Sequence, residues 1–177
     1  MQEENSIHGK IQQLQEQYYN KNKKNSLFKS SQKLDCAKHI TEQIPLNDLL
    51  SKTFFLKENT NIVITDYLVF KTYANPNNYQ QIVDYVVNLL NNCIQKHGCY
   101  QLHVYLESFT ITAAQRHSPL IKMFCQTCFT KESELSRYLE KMYIYKYPSV
   151  IHTIKKLFTP FIDKDSLGKV ELVGEKV

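Results

Sequence analysis

The sequence predicts an α/β fold, and three stretches carry that prediction. Residues 62–73 (Ile-Val-Ile-Thr-Asp-Tyr-Leu-Val-Phe-Lys-Thr-Tyr) are dense in β-branched and aromatic side chains and stop at the turn residues Asn75, Pro76, Asn77 and Asn78, the composition of a strand. Tyr79 to Lys96 then sets Ile82, Val83, Val86, Val87, Leu90 and Ile94 on one helical face and closes at Gly98, where a left-handed cap carries no Cβ penalty. Tyr100 to Glu107 alternates Leu102, Val104 and Leu106 with polar or amphipathic neighbours, a second strand. Two strands joined by a long helix pair in parallel through a right-handed crossover.

The other elements follow in order. Residues 1–33 are rich in Gln, Asn, Lys and Ser; Ile7, Ile11, Leu14 and Tyr18 recur at helical spacing, enough for a short, weakly amphipathic helix. Residues 20–26 have nothing to bury and read as a linker. We therefore expect a flexible polar segment over 1–33 and a single α/β domain over 34–177. A chain of 177 residues suffices for one core that buries roughly two-thirds of the unfolded surface. Leu34 to Ile44 is expected to form a helix ending before Pro45, and Leu46 to Leu56 supplies Leu49, Leu50, Phe54 and Phe55 to a core edge.

Ser118 and Pro119 supply the cap and first-turn proline of a helix running to Phe129, and a shorter helix is expected from Glu132 to Glu140. Lys141 to Tyr147 reads as a strand stopped by Pro148. Ser149 then caps a helix containing Val150, Ile151, Ile154, Leu157 and Phe158, which Pro160 kinks or ends, with Phe161 and Ile162 continuing its apolar face. Ser166 to Val173 gives a turn and a last strand with Val170 and Leu172 facing one way. Strands and helices thus alternate along the chain.

Charge and cysteine content narrow the functional classes. The net charge of +5 and pI near 8.8 favour weak contact with anionic surfaces, although Lys21, Lys23, Lys24 and Lys29 in the polar N-terminal region supply part of the excess. Residues 1–17 lack the apolar stretch of a secretory signal, and no run approaches the ~20 apolar residues of a membrane span. The five cysteines are odd in number, so reduced thiols and a cytoplasmic location are expected.

No catalytic residue, metal or cofactor is expected. Cys125 and Cys128 have metal-ligand spacing, but they lie in an apolar helix with no second Cys or His pair at finger-like spacing. His97, Cys99 and His103 cluster in sequence, yet strand alternation splits them between faces. Ser108 and Ser118 have no nucleophile signature around them, and four scattered glycines cannot build a phosphate loop. His152 is equally read as a surface residue. Nucleic acid is an unlikely partner because most tyrosines fall at packed strand positions. Glu107 is the foremost polar candidate, since α/β sheets bind ligands beyond the carboxyl ends of their strands, although its position favours the alternative reading of a solvated turn residue.

The run from Leu139 to Asp163, followed by Gly168-Lys-Val-Glu-Leu172, has a short strand, a proline, a helix, a second proline and a final strand in the order and spacing of the C-terminal half of CRAL-TRIO lipid-binding domains, which it resembles. Leu102 to Phe109 is similar to that family's strand ending in an Asp and a small residue, with Glu107 where Asp is common, so the resemblance covers about Ile62 to Val173. Tyr143 to Pro148 and Phe158 to Phe161 look closer to the divergent branch found beside Rho GTPase-activating domains and in scaffold proteins. The resemblance implies a three-layer fold with a mostly parallel sheet flanked by helices. It also implies a non-catalytic module that binds a hydrophobic ligand such as a phospholipid between the sheet and the helix after Pro148.

The ligand-binding candidates are Glu107, Phe109, Ile151, Ile154, Leu157, Phe158 and Phe161. Lys155, Lys156, Lys164 and Lys169 are candidates for contact with an anionic headgroup or a partner. By periodicity alone, the stripe of Ile151, Ile154, Leu157 and Phe158 is more often core than lipid gate. The alternative expectation is a protein-interaction scaffold with a filled core, monomeric or dimeric, acting on signalling or membrane-associated partners. An apolar cavity of several hundred Å³ separates the two.

Overall fold

Five strands form one sheet in the order β1 (Phe54–Leu56), β2 (Ile62–Asp66), β3 (Tyr100–Tyr105), β4 (Leu139–Tyr145) and β5 (Val170–Val173) in a computed structural model that describes residues 6–23 and 27–174. β1 runs antiparallel to β2, and the other three pairings are parallel, as expected for strands joined by helical crossovers. The register aligns two apolar rows across the sheet. Phe54, Thr65, Val104, Ile144 and Leu172 form one, and Leu56, Val63, Leu102, Met142 and Val170 form the other. Because successive strand residues point to opposite faces, the partners of these rows, including Ile64, His103 and Tyr143, point away from them.

The crossover helix α5 (Tyr79–His97) buries Ile82, Val83, Val86 and Leu90 and ends at Gly98, which adopts φ 78° as the left-handed cap. After β3 come α6 (Ile111–Arg116), capped by the Thr110 hydroxyl, α7 (Ser118–Cys128) with proline in its first turn, and the short α8 (Glu134–Tyr138). After β4 come α9 (Ile151–Phe158), a 3-10 turn at Thr159–Phe161, and α10 (Lys164–Gly168), capped by Asp163.

Several expectations need correction. The predicted strand over 62–73 is half that length, because the Asp66 carboxylate accepts the Leu68 amide at 2.8 Å and caps α4 (Tyr67–Tyr73). Tyr67, Phe70 and Tyr73 are buried there at helical spacing, so their aromatic content marked packing rather than strand. Leu46 to Leu56 divides into α3 (Leu46–Thr53) and β1. Ser149 does not cap α9: the cap position is Val150, with no side-chain bond.

The polar segment expected over 1–33 contains α1 (Ile7–Lys21), capped by Ser6, and the start of α2 (Lys29–Gln43). Ile11 of α1 is buried in the common core, while α1 packs on α2 and α2 on α4. Of the expected linker, residues 24–26 lie outside the described residues.

Candidate functional site

The two apolar rows do not pack flush against the helices above them. Between them lies a cavity of about 280 Å³, floored by Thr65, Leu102, Val104, Met142, Ile144, Val170 and Leu172. Its walls are Tyr67 and Phe70 of α4, Ile82, Val83 and Val86 of α5, Leu120, Ile121 and Phe124 of α7, and Ile151, Ile154 and Phe158 of α9. The local sequence explains this shape. Strand alternation turns every second residue of β3, β4 and β5 toward the helices, and these are Leu, Val, Met and Ile. α9 sits above them with the i, i+3, i+7 set of Ile151, Ile154 and Phe158 turned inward, all buried.

One polar group stands out against this lining. His117, between α6 and α7, is 2% exposed and lines the cavity. Its Nδ1 shares a 2.9 Å hydrogen bond with the Tyr79 hydroxyl, whereas Nε2 is buried without a partner among the described residues. Burial, reinforced by the positive charge of Arg116, pushes its pKa down to about 4, so the ring is neutral near pH 7. Neutral imidazole has one donor and one acceptor nitrogen, and an unmet buried nitrogen carries a desolvation cost.

The structure brings only part of the expected site together. Phe109, Ile151, Ile154 and Phe158 line the cavity, and so does Lys155, whose stem flanks it. Leu157 lies on the outer face of α9, 44% exposed. Phe161 is half-buried beneath the Lys122 ammonium, 5.2 Å from the ring centroid, and its neighbour Ile162 reaches the cavity instead. Glu107 is at the carboxyl end of β3 but outside the cavity. Its carboxylate accepts from Lys146 Nζ at 2.6 Å, and that hydrogen bond and charge hold its pKa below the usual carboxylate range. Lys156 and Lys164 are exposed, and the Lys169 ammonium donates to the Ser136 carbonyl at 3.2 Å.

Sequence reasoning missed His117, the α7 wall and the sheet floor. The floor was legible: Leu102, Val104 and Leu106 already alternated, but alternation identifies a covered face without revealing whether the cover is flush. The cysteine pair is packed, Cys125 5% and Cys128 0% exposed, and this burial pushes both thiols up to about 12. Among the described residues, no three metal-ligating side chains come together and no helix is long and apolar enough to cross a membrane.

No family model matches the chain, and no curated protein matches it. Among solved structures, one described as the crystal structure of Sfh5 aligns with 95% of this chain at a TM-score of 0.59 and 11% sequence identity. This chain spans 65% of the length of that one. The likeness is one of fold, a mixed α/β arrangement of CRAL-TRIO type with a five-stranded sheet flanked by helices.

Proposed function

We propose that this chain is a non-catalytic module that holds the apolar part of an amphiphile, such as one acyl chain of a phospholipid, between its sheet and the helices α5, α7 and α9. The apolar cavity of about 280 Å³ carries the reading. Its volume lies near the roughly 300 Å³ lower limit of small-molecule sites, so it suits one hydrophobic chain better than a whole diacyl lipid. Dry space in a protein core forfeits dispersion contacts, and a chain filling this one restores them. The open space above the sheet favours this reading over a scaffold with a filled core.

Native mass spectrometry after incubation with phosphatidylcholine liposomes tests the proposal. The expected result is one bound lipid per chain. A protein that stays empty after incubation, and that releases no hydrophobic compound on organic extraction, would overturn it.

A further inference from the structure

A second cavity, also about 280 Å³, lies between the N-terminal helices and the carboxyl end of the sheet, and its chemistry is opposite to that of the first. α1 contributes Gln15 and Tyr19, α2 contributes Lys33, and α4 contributes Lys71 and Thr72; the segment after β3 adds Ser108, Thr110 and Arg116. Three cations line it and, among the described residues, no carboxylate does. We infer that this cavity binds a phosphate group, with Arg116, Lys33 and Lys71 supplying the charge and Ser108 and Thr110 supplying hydroxyl donors.

The hydrogen bonding leaves these groups available. Arg116 uses Nε to donate to the Ser30 hydroxyl at 2.9 Å, and its two terminal nitrogens have no hydrogen-bond partner among the described residues. Lys71 Nζ donates to Ser108 Oγ at 2.7 Å, and the Thr110 oxygen accepts from the Ala113 amide at 3.1 Å, so both hydroxyl protons remain to be donated. Ser108 adopts a left-handed φ of 63°, rare for a residue with a side chain, in the segment that lines the cavity.

The cations also feel one another. Partial burial, then the charges of Arg116, Lys29 and Lys71, hold the Lys33 ammonium below its ordinary range. The acid that feels the Lys71 charge is Glu107, which is already paired with Lys146. Phosphate fits this set better than a carboxylate does. A carboxylate satisfies the arginine fork and leaves both lysines unmet, whereas a phosphate dianion offers the fork two oxygens and the lysines the others.

That phosphate belongs either to a soluble compound or to a lipid headgroup. Tyr67 lines both cavities, so a headgroup here places its own chain beside the apolar one. The two sources are separated by titrating the full chain with inorganic phosphate under NMR observation and, in parallel, by co-sedimenting it with phosphatidylcholine vesicles with and without phosphatidic acid. Saturable shifts at Ser108, Thr110 and Arg116 with inorganic phosphate, weakened about tenfold in the double variant Lys33→Gln/Lys71→Gln, support a soluble source. Sedimentation that requires phosphatidic acid and is lost in the double variant supports the headgroup. Arg116→Lys, which keeps the charge and removes the fork, weakens binding in either case. Both lysines are exposed, so the double variant retains the fold, seen in unchanged resonances of Val104 and Ile144. Absence of saturable shifts together with sedimentation indifferent to the double variant would overturn the inference, without bearing on the apolar cavity.

Discussion

The Tyr79 hydroxyl and His117 Nδ1 share a 2.9 Å hydrogen bond that fixes the imidazole in the wall of the apolar cavity with its other nitrogen unmet. The bond joins the first turn of the crossover helix α5 to the start of α7, two of the helices that cover the sheet. Phe70 meets the same ring nearly edge-on at 5.1 Å and limits its rotation. The fold thereby holds a neutral polar atom in an apolar space.

That burial makes stability depend on pH. His117 has an ordinary pKa of 6.5 when unfolded and about 4 when folded, so below 6.5 the unfolded chain takes up a proton that the native chain refuses. The stabilisation is fully present above pH 6.5 and is lost as pH falls toward 4, by on the order of 3 kcal/mol. Urea unfolding followed across this window should show that slope in the wild type and a clearly flatter one in His117→Phe. Carboxylates titrate identically in both proteins, so the difference isolates His117.

Filling the cavity should remove binding while leaving the fold. Val104 and Ile144 are partners across β3 and β4 on the floor, and Val104→Phe projects a ring into the open space. The expected stability change is small, within about 1 kcal/mol, because the added carbons enter a void rather than a packed region. Ligand retention in native mass spectra should fall at least tenfold, a loss of about 1.4 kcal/mol in binding.

The two sides of α9 should respond differently. Ile154 is 5% exposed and borders the cavity, so Ile154→Ala should cost about 2–3 kcal/mol, the low end for such truncations because open space already adjoins it. Leu157, 44% exposed, should change stability by no more than about 0.5 kcal/mol on truncation and leave ligand loading unaltered. Thermal melts and loading assays on the two variants check both statements.

Gly98 ends α5 at φ 78°, and apart from the adjoining backbone no atom lies within 4 Å of where an added methyl group would sit, so Gly98→Ala isolates backbone strain from steric conflict. The substitution should cost about 1–2 kcal/mol in equilibrium unfolding without altering ligand binding.

The course of α5, the parallel pairing of β2 with β3, and the strand-proline-helix run from β4 to α9 were legible because each rests on local periodicity or on one strong stop such as Gly98 or Pro148. The Asp66 cap was harder to see: the residues after it have strand-like composition, and tertiary packing of Tyr67, Phe70 and Tyr73 overrides that preference. Within the site, Ile151, Ile154 and Phe158 were readable as one face, but Leu157 shares their hydrophobicity and not their direction. His117 gave no signal, because its role depends on Tyr79, 38 residues away in sequence, and on the space beside it. The basic cavity assembles residues from α1, α2, α4 and α6, a juxtaposition that no local pattern encodes.

The proposed ligand site is the apolar sheet face beneath α5, α7 and α9. Paramagnetic relaxation from a bound nitroxide-labelled fatty acid locates the ligand. The expected result is stoichiometric broadening of Leu102, Val104, Ile144 and Ile154, sparing of His103 and Tyr143 on the opposite face, and loss of the effect in Val104→Phe. Broadening centred on His103 and Tyr143, or broadening unchanged by Val104→Phe, would contradict it.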